Sequence, residues 1–512
     1  MQFLHQLWLQ NDSYAPGQPS IVDPTGFYFP HHLQCRSGEC ARWLQSLGIR
    51  SGDRIVIVAD ASFSSICMLT ACSIVGGTFT VVAPEVPVPR RSVIVNELEP
   101  ALILYDSFIA ENSSGLILDP VFQRYWTTVT DRSTPDEITT TRAVGTDAAW
   151  IVFTSGSTGR PKGIVMSHSA VLSFWGGLIA HMKPLPGSRY ASLSPLQFDF
   201  SLLDIGLCLG SGTPLYLPNR ALLRKPAQLL RELSRWGITH LSSVPTVWKL
   251  LLKMCGPNIG EFTSLKRIVF AGEHFPKEHM RSIHQQLPEV DFYNIYGQSE
   301  SIACTFEVLG PRYFHSDMPH APVGKGHHDI EMILWDDDMR RITKPGQIGE
   351  LVIRGLPLFS GYWRLPAETA ARLIDDPSHR DFMHKVFKTG DSCYFDSEGC
   401  FYFVGRRDNQ IKVNGNRVEL EEIERHLNTF EGVSNSCVLI INDCDEATLH
   451  AVVVVQADAL ALHTAEAQLR AHLSGVLPAY MLPRHYHLHD EIPITANGKN
   501  DRQRLVAILG LD

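Results

Sequence analysis

Apolar residues in the first four hundred positions gather into short unbroken runs instead of alternating with polar ones. DRIVIVA (53–59), FTVVAP (79–84), ALILYD (101–106), AAWIVF (148–153) and RIVFAG (267–272) are of strand length and rich in β-branched residues. Runs of this kind predict strands covered on both faces, as in sheets flanked by helices. Between them lie stretches with helical spacing, such as AQLLRELSRW (227–236). The alternation predicts an α/β architecture with mostly parallel strands. From residue 331 the pattern turns hairpin-like, in EMILWDDDMRRIT and in GELVIRG (349–355).

After GRRDNQ (405–410) the texture changes. RVELEEIERHLNTF puts Leu420, Ile423, Leu427 and Phe430 on one helical face, with glutamates opposite. Two strands, NSCVLIIND and LHAVVVVQA, and a second helix near 465–477 complete an α+β unit large enough to be a small domain. The boundary is placed at Arg407–Asp408, giving a multi-subdomain region over 1–407 and a smaller domain over 408–512. A chain of 512 residues needs more than one core in any case. Residues 61–84 carry no charge and are long enough to cross a bilayer. Their four serines, three threonines and the pair Gly76-Gly77 predict a buried helix followed by a buried strand instead.

The net charge of −9 removes nucleic acid as a main partner, because no cationic excess is available to neutralise phosphates. Eleven cysteines include no C-x-x-C pair, and Cys35/Cys40 and Cys437/Cys444 do not match zinc-ligand spacing. No secretory leader pattern opens the chain, so a cytoplasmic protein with reduced thiols is expected. RHYHLH (484–489) aligns His485, His487 and His489 on one face of an extended segment. It reads as a strand, and the acidic run 336–338 as a solvated turn.

One stretch departs from ordinary loop chemistry. FTSGSTGRPKG (153–163) holds three glycines, two serines and two threonines in eleven positions. Small hydroxyls and backbone N–H groups without an intervening Cβ can surround an anion. Thr154, Ser155, Gly156, Ser157, Thr158 and Gly159 could do this, with Lys162 adding positive charge. No G-K-[ST] closes the stretch, so it is not a Walker loop, and no G-x-G-x-x-G marks a dinucleotide site.

Taken with the rest of the chain, this stretch resembles the phosphate loop of the adenylate-forming superfamily, which includes peptide-synthetase adenylation domains, acyl-CoA synthetases and luciferases. NIYGQSE (294–300), GELVIRGLPLFSGYW (349–363), FKTGD (387–391), GRRDNQIKVNGNRVELEEIE (405–424) and PITANGKNDR (493–502) resemble its further motifs, in the family's order. The resemblance implies a large N-terminal domain and a small mobile C-terminal lid. It implies ATP and Mg²⁺ as cofactors, with Glu300 holding the metal and Ser299 reaching the α-phosphate. Tyr296 would lie against adenine, and Asp391, assisted by Arg406, would accept both ribose hydroxyls. Gly272, Glu273, Asn294 and Tyr402 complete the implied nucleotide site. Lys499 would bridge the substrate carboxylate and the α-phosphate, where two anions must meet and cations supply the stabilisation. Asp408 would be the hinge that brings the Lys412–Gly415 loop to a thiol acceptor. Gln298, Ser299 and Asn414 depart from the residues usual at their positions.

The resemblance also implies a substrate pocket. Asp199 would pair with a substrate ammonium, unless it or Ser201 merely caps the following helix. Phe200, Leu203, Ser242, Val269, Ala271, Ile295, Ala303 and Cys304 would line the remainder, and none is charged. The implied substrate is an apolar amino acid, with proline favoured; Phe200 beside the aspartate also fits a β-amino acid, and small aliphatic amino acids remain open. The chain ends a dozen residues past Lys499, so a separate carrier protein bearing phosphopantetheine is the expected acceptor, with coenzyme A the lesser alternative. Neither nucleic acid nor a membrane is an expected partner. Two rivals remain: an acyl- or aryl-CoA synthetase, disfavoured by Asp199, and a catalytically dead nucleotide-binding regulator, disfavoured by the presence of Lys499, Glu300 and Asp391.

Overall fold

The computed structural model describes the chain apart from residues 1, 12, 106–142, 157–159, 315–320, 379–383, 408–409, 414, 444–445, 456–461, 495–499 and 512. It divides into two units. The first comprises Met1–Pro84, Glu99–Val152 and Gly163–Arg407; the second comprises Glu85–Leu98, Phe153–Lys162 and Asp408–Asp512.

In the first unit, strands Tyr190–Ser192, His240–Ser243, Arg267–Ala271 and Asp291–Gln298 run parallel, and Ile302–Leu309 closes the edge antiparallel. The same sheet extends the other way through Leu215–Tyr216 and Ile21–Asp23 to Gly26–Tyr28. A second sheet sets Leu102–Tyr105, Arg54–Val58, Thr78–Val82 and Ala148–Thr154 in parallel. The apolar runs are unbroken because both sheet faces are buried: Ile55, Val56, Ile57 and Val58 are all 3% exposed or less. Burying each such side chain contributes about 1.5–3 kcal/mol, which fixes these segments as strands. The uncharged stretch divides as its glycines require. Helix Phe63–Val75 ends at Gly76, whose φ of 70° is left-handed, and Thr78–Val82 follows as a fully buried strand. Among the described residues no helix is long and apolar enough to cross a membrane.

A third, antiparallel sheet joins Ile330–Trp335, Gly349–Gly355, Lys385–Phe395, Leu373–Asp375 and Phe401–Arg406. The long partner of Ile330–Trp335 is therefore Gly349–Gly355, and the local hairpin pattern survives only as a Trp335–Arg341 bridge. Asp336 closes that turn by accepting from the N–H groups of Asp338 and Arg340.

The second unit pairs Val433–Asp443 with Glu446–Val455 antiparallel and adds His485–Leu488 in parallel. Helix Leu420–Leu427 buries Leu420, Ile423 and Leu427 in the core of this unit, and helix Leu462–Ser474 adds Leu469 and Leu473. Within it Arg90 forms an ion pair with the buried Glu422. His450 and His487 share a hydrogen bond of 3.0 Å between Nδ1 and Nε2. No group of three metal-ligating side chains occurs among the described residues.

Candidate active site

The motif NIYGQSE ends strand Asp291–Gln298 and turns tightly into Ile302–Leu309. Gly297 is demanded by that turn, since a Cβ there would lie 1.7 Å from the Ile302 carbonyl oxygen and 2.7 Å from Ala303 Cα. Ile302 adopts a left-handed backbone with φ of 54°, a conformation that β-branched residues rarely take. The ladder slips register between Tyr296 and Gly297, a local irregularity of the kind that re-aims side chains beside functional sites.

Asp391 collects the first cluster. Its Oδ2 accepts from the Tyr296 hydroxyl at 2.5 Å and from Gln298 Nε2 at 2.8 Å, and its Oδ1 accepts from Arg406 Nη1 at 2.6 Å. Strand pairing explains the last contact, because Asp391 and Arg406 stand opposite each other on adjacent strands. Burial first, and then the Asp391 charge, pushes the Tyr296 phenol far above its ordinary pKa, so it remains a proton donor. Thr389 stiffens the base of the cluster: its hydroxyl donates to the Leu351 carbonyl and accepts from the Asp391 N–H. FKTGD and GELVIRG, separate motifs in sequence, are thereby one structural piece.

Glu300 anchors the second cluster. It is fully buried, its Oε1 accepts from the Tyr362 hydroxyl at 2.8 Å, and its backbone carbonyl accepts from Phe359 N–H at 2.8 Å. Tyr362 is placed by the short strand Gly361–Tyr362, which pairs antiparallel with Val165 and Ile164. A single buried carboxylate is the donor set expected for Mg²⁺ that takes its other ligands from water and phosphate oxygens. Glu300 fits such an ion.

The hydroxyl-rich loop belongs to the second unit. Gly156 lies against its own loop, where a Cβ would meet the Arg160 carbonyl oxygen at 2.2 Å and Lys162 Cγ at 2.9 Å. Thr154 ends one strand and Lys162 begins the next. The Ser155 hydroxyl donates to the Arg417 carbonyl at 2.7 Å, so this hydroxyl is engaged by backbone. Ser157, Thr158 and Gly159, like Asp408, Asn414 and Lys499, lie outside the described residues.

Four of the expected pocket residues share one sheet face. Ser242 pairs with Val269, and Ala271 with Ile295, which puts all four on one face of the parallel sheet. Leu203, Val269, Ile295, Ala303 and Cys304 are buried in one apolar cluster, with Phe200 and Ala271 packed against it. Asp199 is in the first turn of helix Asp199–Ser211, where the helix dipole favours a carboxylate. The N-cap is Phe198, and the Ser201 hydroxyl donates back to the Phe198 carbonyl at 2.8 Å.

Other expected residues have structural partners. Glu273 Oε2 accepts from Thr246 at the start of helix Pro245–Cys255, from Oγ1 at 2.6 Å and from N–H at 3.2 Å. Gly272, at φ of 89°, turns the chain toward it. Asn294 Nδ2 donates to the Pro322 carbonyl at 2.8 Å. Tyr402 donates to Asp396 at 3.1 Å and stacks on Tyr394, at the far end of the ladder from Asp391. Ser299 is half-buried within the turn that carries Glu300.

The profile of the AMP-binding enzyme family matches residues 16–363, and that of the AMP-binding enzyme C-terminal domain matches residues 422–499. The chain belongs to the AMP-binding enzyme family. It is 30% identical to an L-proline--[L-prolyl-carrier protein] ligase of Pseudomonas fluorescens, over 98% of both chains. A protein of the same name from Streptomyces coelicolor is 28% identical over 92% of this chain and 89% of its own. Among solved structures, the crystal structure of IdnL1 superposes with a TM-score of 0.83 at 34% identity, covering 96% of this chain and 99% of that one.

Three side chains in and around these clusters carry no signal of their own in the sequence. Gln298 stood out only as a departure from the usual residue. Tyr362 lies within a family motif but has no sequence feature linking it to Glu300. Asp204, one position beyond Leu203, is fully buried, and neither of its oxygens makes a hydrogen bond among the described residues. Burial pushes its carboxyl up to about 7, although the nearby Ser192 and Ser242 hydroxyls favour the charged form. Its polarity was hidden inside an apolar helical pattern.

Proposed function

We propose that the protein activates an apolar amino acid, proline favoured, with ATP, forming aminoacyl-AMP and pyrophosphate, and transfers the aminoacyl group to the phosphopantetheine thiol of a separate carrier protein. The observation that carries this reading is the end-to-end similarity to a ligase named for proline and its carrier protein, over 98% of both chains. The pocket supports it chemically. One carboxylate at the head of a helix suits an ammonium, and the uncharged residues beyond it would leave an ionic side chain unpaired at high cost.

In the reaction, a substrate carboxylate oxygen attacks the α-phosphorus and pyrophosphate leaves. Asp199 holds the substrate amine, Asp391 and Arg406 orient the ribose, and Tyr296 flanks the base. Ser299 and Lys162 face phosphate oxygens, and Lys499 neutralises the approach of the two anions. Glu300 would hold Mg²⁺, which would supply positive charge against the phosphates when bound with ATP. Asp408 acts as the hinge between the 1–407 and 408–512 domains, and the second half-reaction follows rotation of the smaller one. We place the protein in the cytoplasm, in biosynthesis of a secondary metabolite.

The test is a mass measurement on phosphopantetheinylated carrier protein after incubation with ATP, Mg²⁺ and single amino acids. A gain matching prolyl thioester is expected; loading of coenzyme A with a des-amino acid instead contradicts the reading. The half-buried Phe200 beside Asp199 favours a second reading, a β-amino acid, and β-alanine and 3-aminobutyrate in the same panel decide between them. Asp408→Pro should block carrier loading while leaving ATP–pyrophosphate exchange intact; equal loss of both removes the hinge assignment.

A further inference from the structure

We infer that Gln298 is a positioning residue for nucleotide recognition, acting through Asp391; this rests on the reading above that Asp391 accepts the ribose hydroxyls. Gln298 is nearly buried, 8% exposed, at the end of strand Asp291–Gln298. Its amide nitrogen stands 2.8 Å from Asp391 Oδ2 and 3.0 Å from the Thr389 carbonyl oxygen. Both partners only accept, so the group facing them is the NH₂ and not the amide oxygen. Arg406 reaches the same two residues from the other side, with Nη1 on Asp391 Oδ1 at 2.6 Å and Nη2 on the Thr389 carbonyl at 3.3 Å. Gln298, Thr389, Arg406 and Asp391 therefore close a ring that fixes the plane of the carboxylate.

Acceptor capacity gives the ring its purpose. A carboxylate offers about four lone-pair positions. Three are used here, by Tyr296, Gln298 and Arg406. A diol needs two, and can have them if the Tyr296 hydroxyl yields its place while Gln298 and Arg406 hold. Without the Gln298 amide, loss of the Tyr296 bond would leave the carboxylate tethered through one oxygen and free to rotate. Gln298 thus makes it possible for Asp391 to exchange a phenol for a ribose without losing orientation.

The experiment is calorimetric titration of the full chain with AMP and with 2′,3′-dideoxy-AMP, without turnover. Gln298→Met keeps side-chain length and removes the donor. It should weaken AMP binding about tenfold and the dideoxy analogue little, shrinking the preference between them, as expected for one hydrogen bond to a charged group. Proline affinity should not move. Equal weakening of both nucleotides, or no change in either, overturns the inference. Gln298→Glu, similar in shape, is expected to lose the same preference and serves if the methionine variant does not fold; preserved preference in it is equally fatal. Asp391→Asn separates the two levels. If it abolishes the preference while Gln298→Met does not, the positioning role falls alone; if it leaves the preference intact, the ribose assignment falls with it.

Discussion

Removing one oxygen atom, in Tyr362→Phe, interrogates the anchoring of Glu300. The Tyr362 hydroxyl donates to Glu300 Oε1 at 2.8 Å, and the glutamate is 0% exposed, so bulk water cannot substitute for the lost donor. Hydrogen bonds to charged groups contribute about 1.5–3 kcal/mol, and a buried acceptor left short of a partner sits toward the cost of its desolvation. Phenylalanine preserves the ring contacts with Phe359, so cavity terms are small. The expected destabilisation is about 2 kcal/mol in urea unfolding, with a loss in kcat/KM for ATP of about thirtyfold if the whole amount appears in the transition state. The decisive form is a double-mutant cycle with Glu300→Gln. If the hydroxyl acts through the carboxylate, Tyr362→Phe should cost much less in the Glu300→Gln background, with a coupling of about 1–2 kcal/mol. Additive losses, or a single variant as stable and active as the parent, would refute the argument.

Three further outcomes are expected. Asp199→Ala should reduce exchange with proline far more than activation of cyclopentanecarboxylate, its ring analogue without the amine; equal losses would assign Asp199 a structural role. Asp204 holds its proton in the fold up to about 7, whereas an unfolded chain releases it near the ordinary carboxyl value, so its stabilising contribution is full in acid and declines as pH rises through that interval. Asp204→Asn should flatten the fall in stability between pH 4 and 7 measured by thermal melting; an unchanged slope would show that another group controls it. Gly297→Ala cannot close the 298–302 turn without displacing the Ile302 carbonyl 1.7 Å from the new Cβ, and should yield little soluble protein. Wild-type yield and melting temperature would show that the turn can relax.

Much of the core was legible because local pattern and burial agree there. Ile55–Val58 are apolar throughout since both sheet faces are covered, and Gly76 ends the helix in the uncharged stretch because it tolerates a left-handed backbone. Motif residues could be named from their order along the chain. Their partners could not, because those contacts join distant residues without any local period. Gln298 meets Asp391 across 93 positions, and Tyr362 meets Glu300 across 62. The same holds for Ile21–Asp23 pairing with Leu215–Tyr216, and for Glu273 serving the helix that begins at Pro245. Asp204 lies in a helix whose neighbours in sequence are apolar, which marks it as buried, but its want of a hydrogen-bond partner among the described residues is set by tertiary packing and leaves no local pattern.

ATP–pyrophosphate exchange with the intact protein, comparing proline with cyclopentanecarboxylate, decides whether the enzyme activates an amino acid. Exchange that requires the amino acid is predicted. Exchange supported equally by the acid that lacks an amine, or absent with every amino acid while nucleotide still binds, would contradict it.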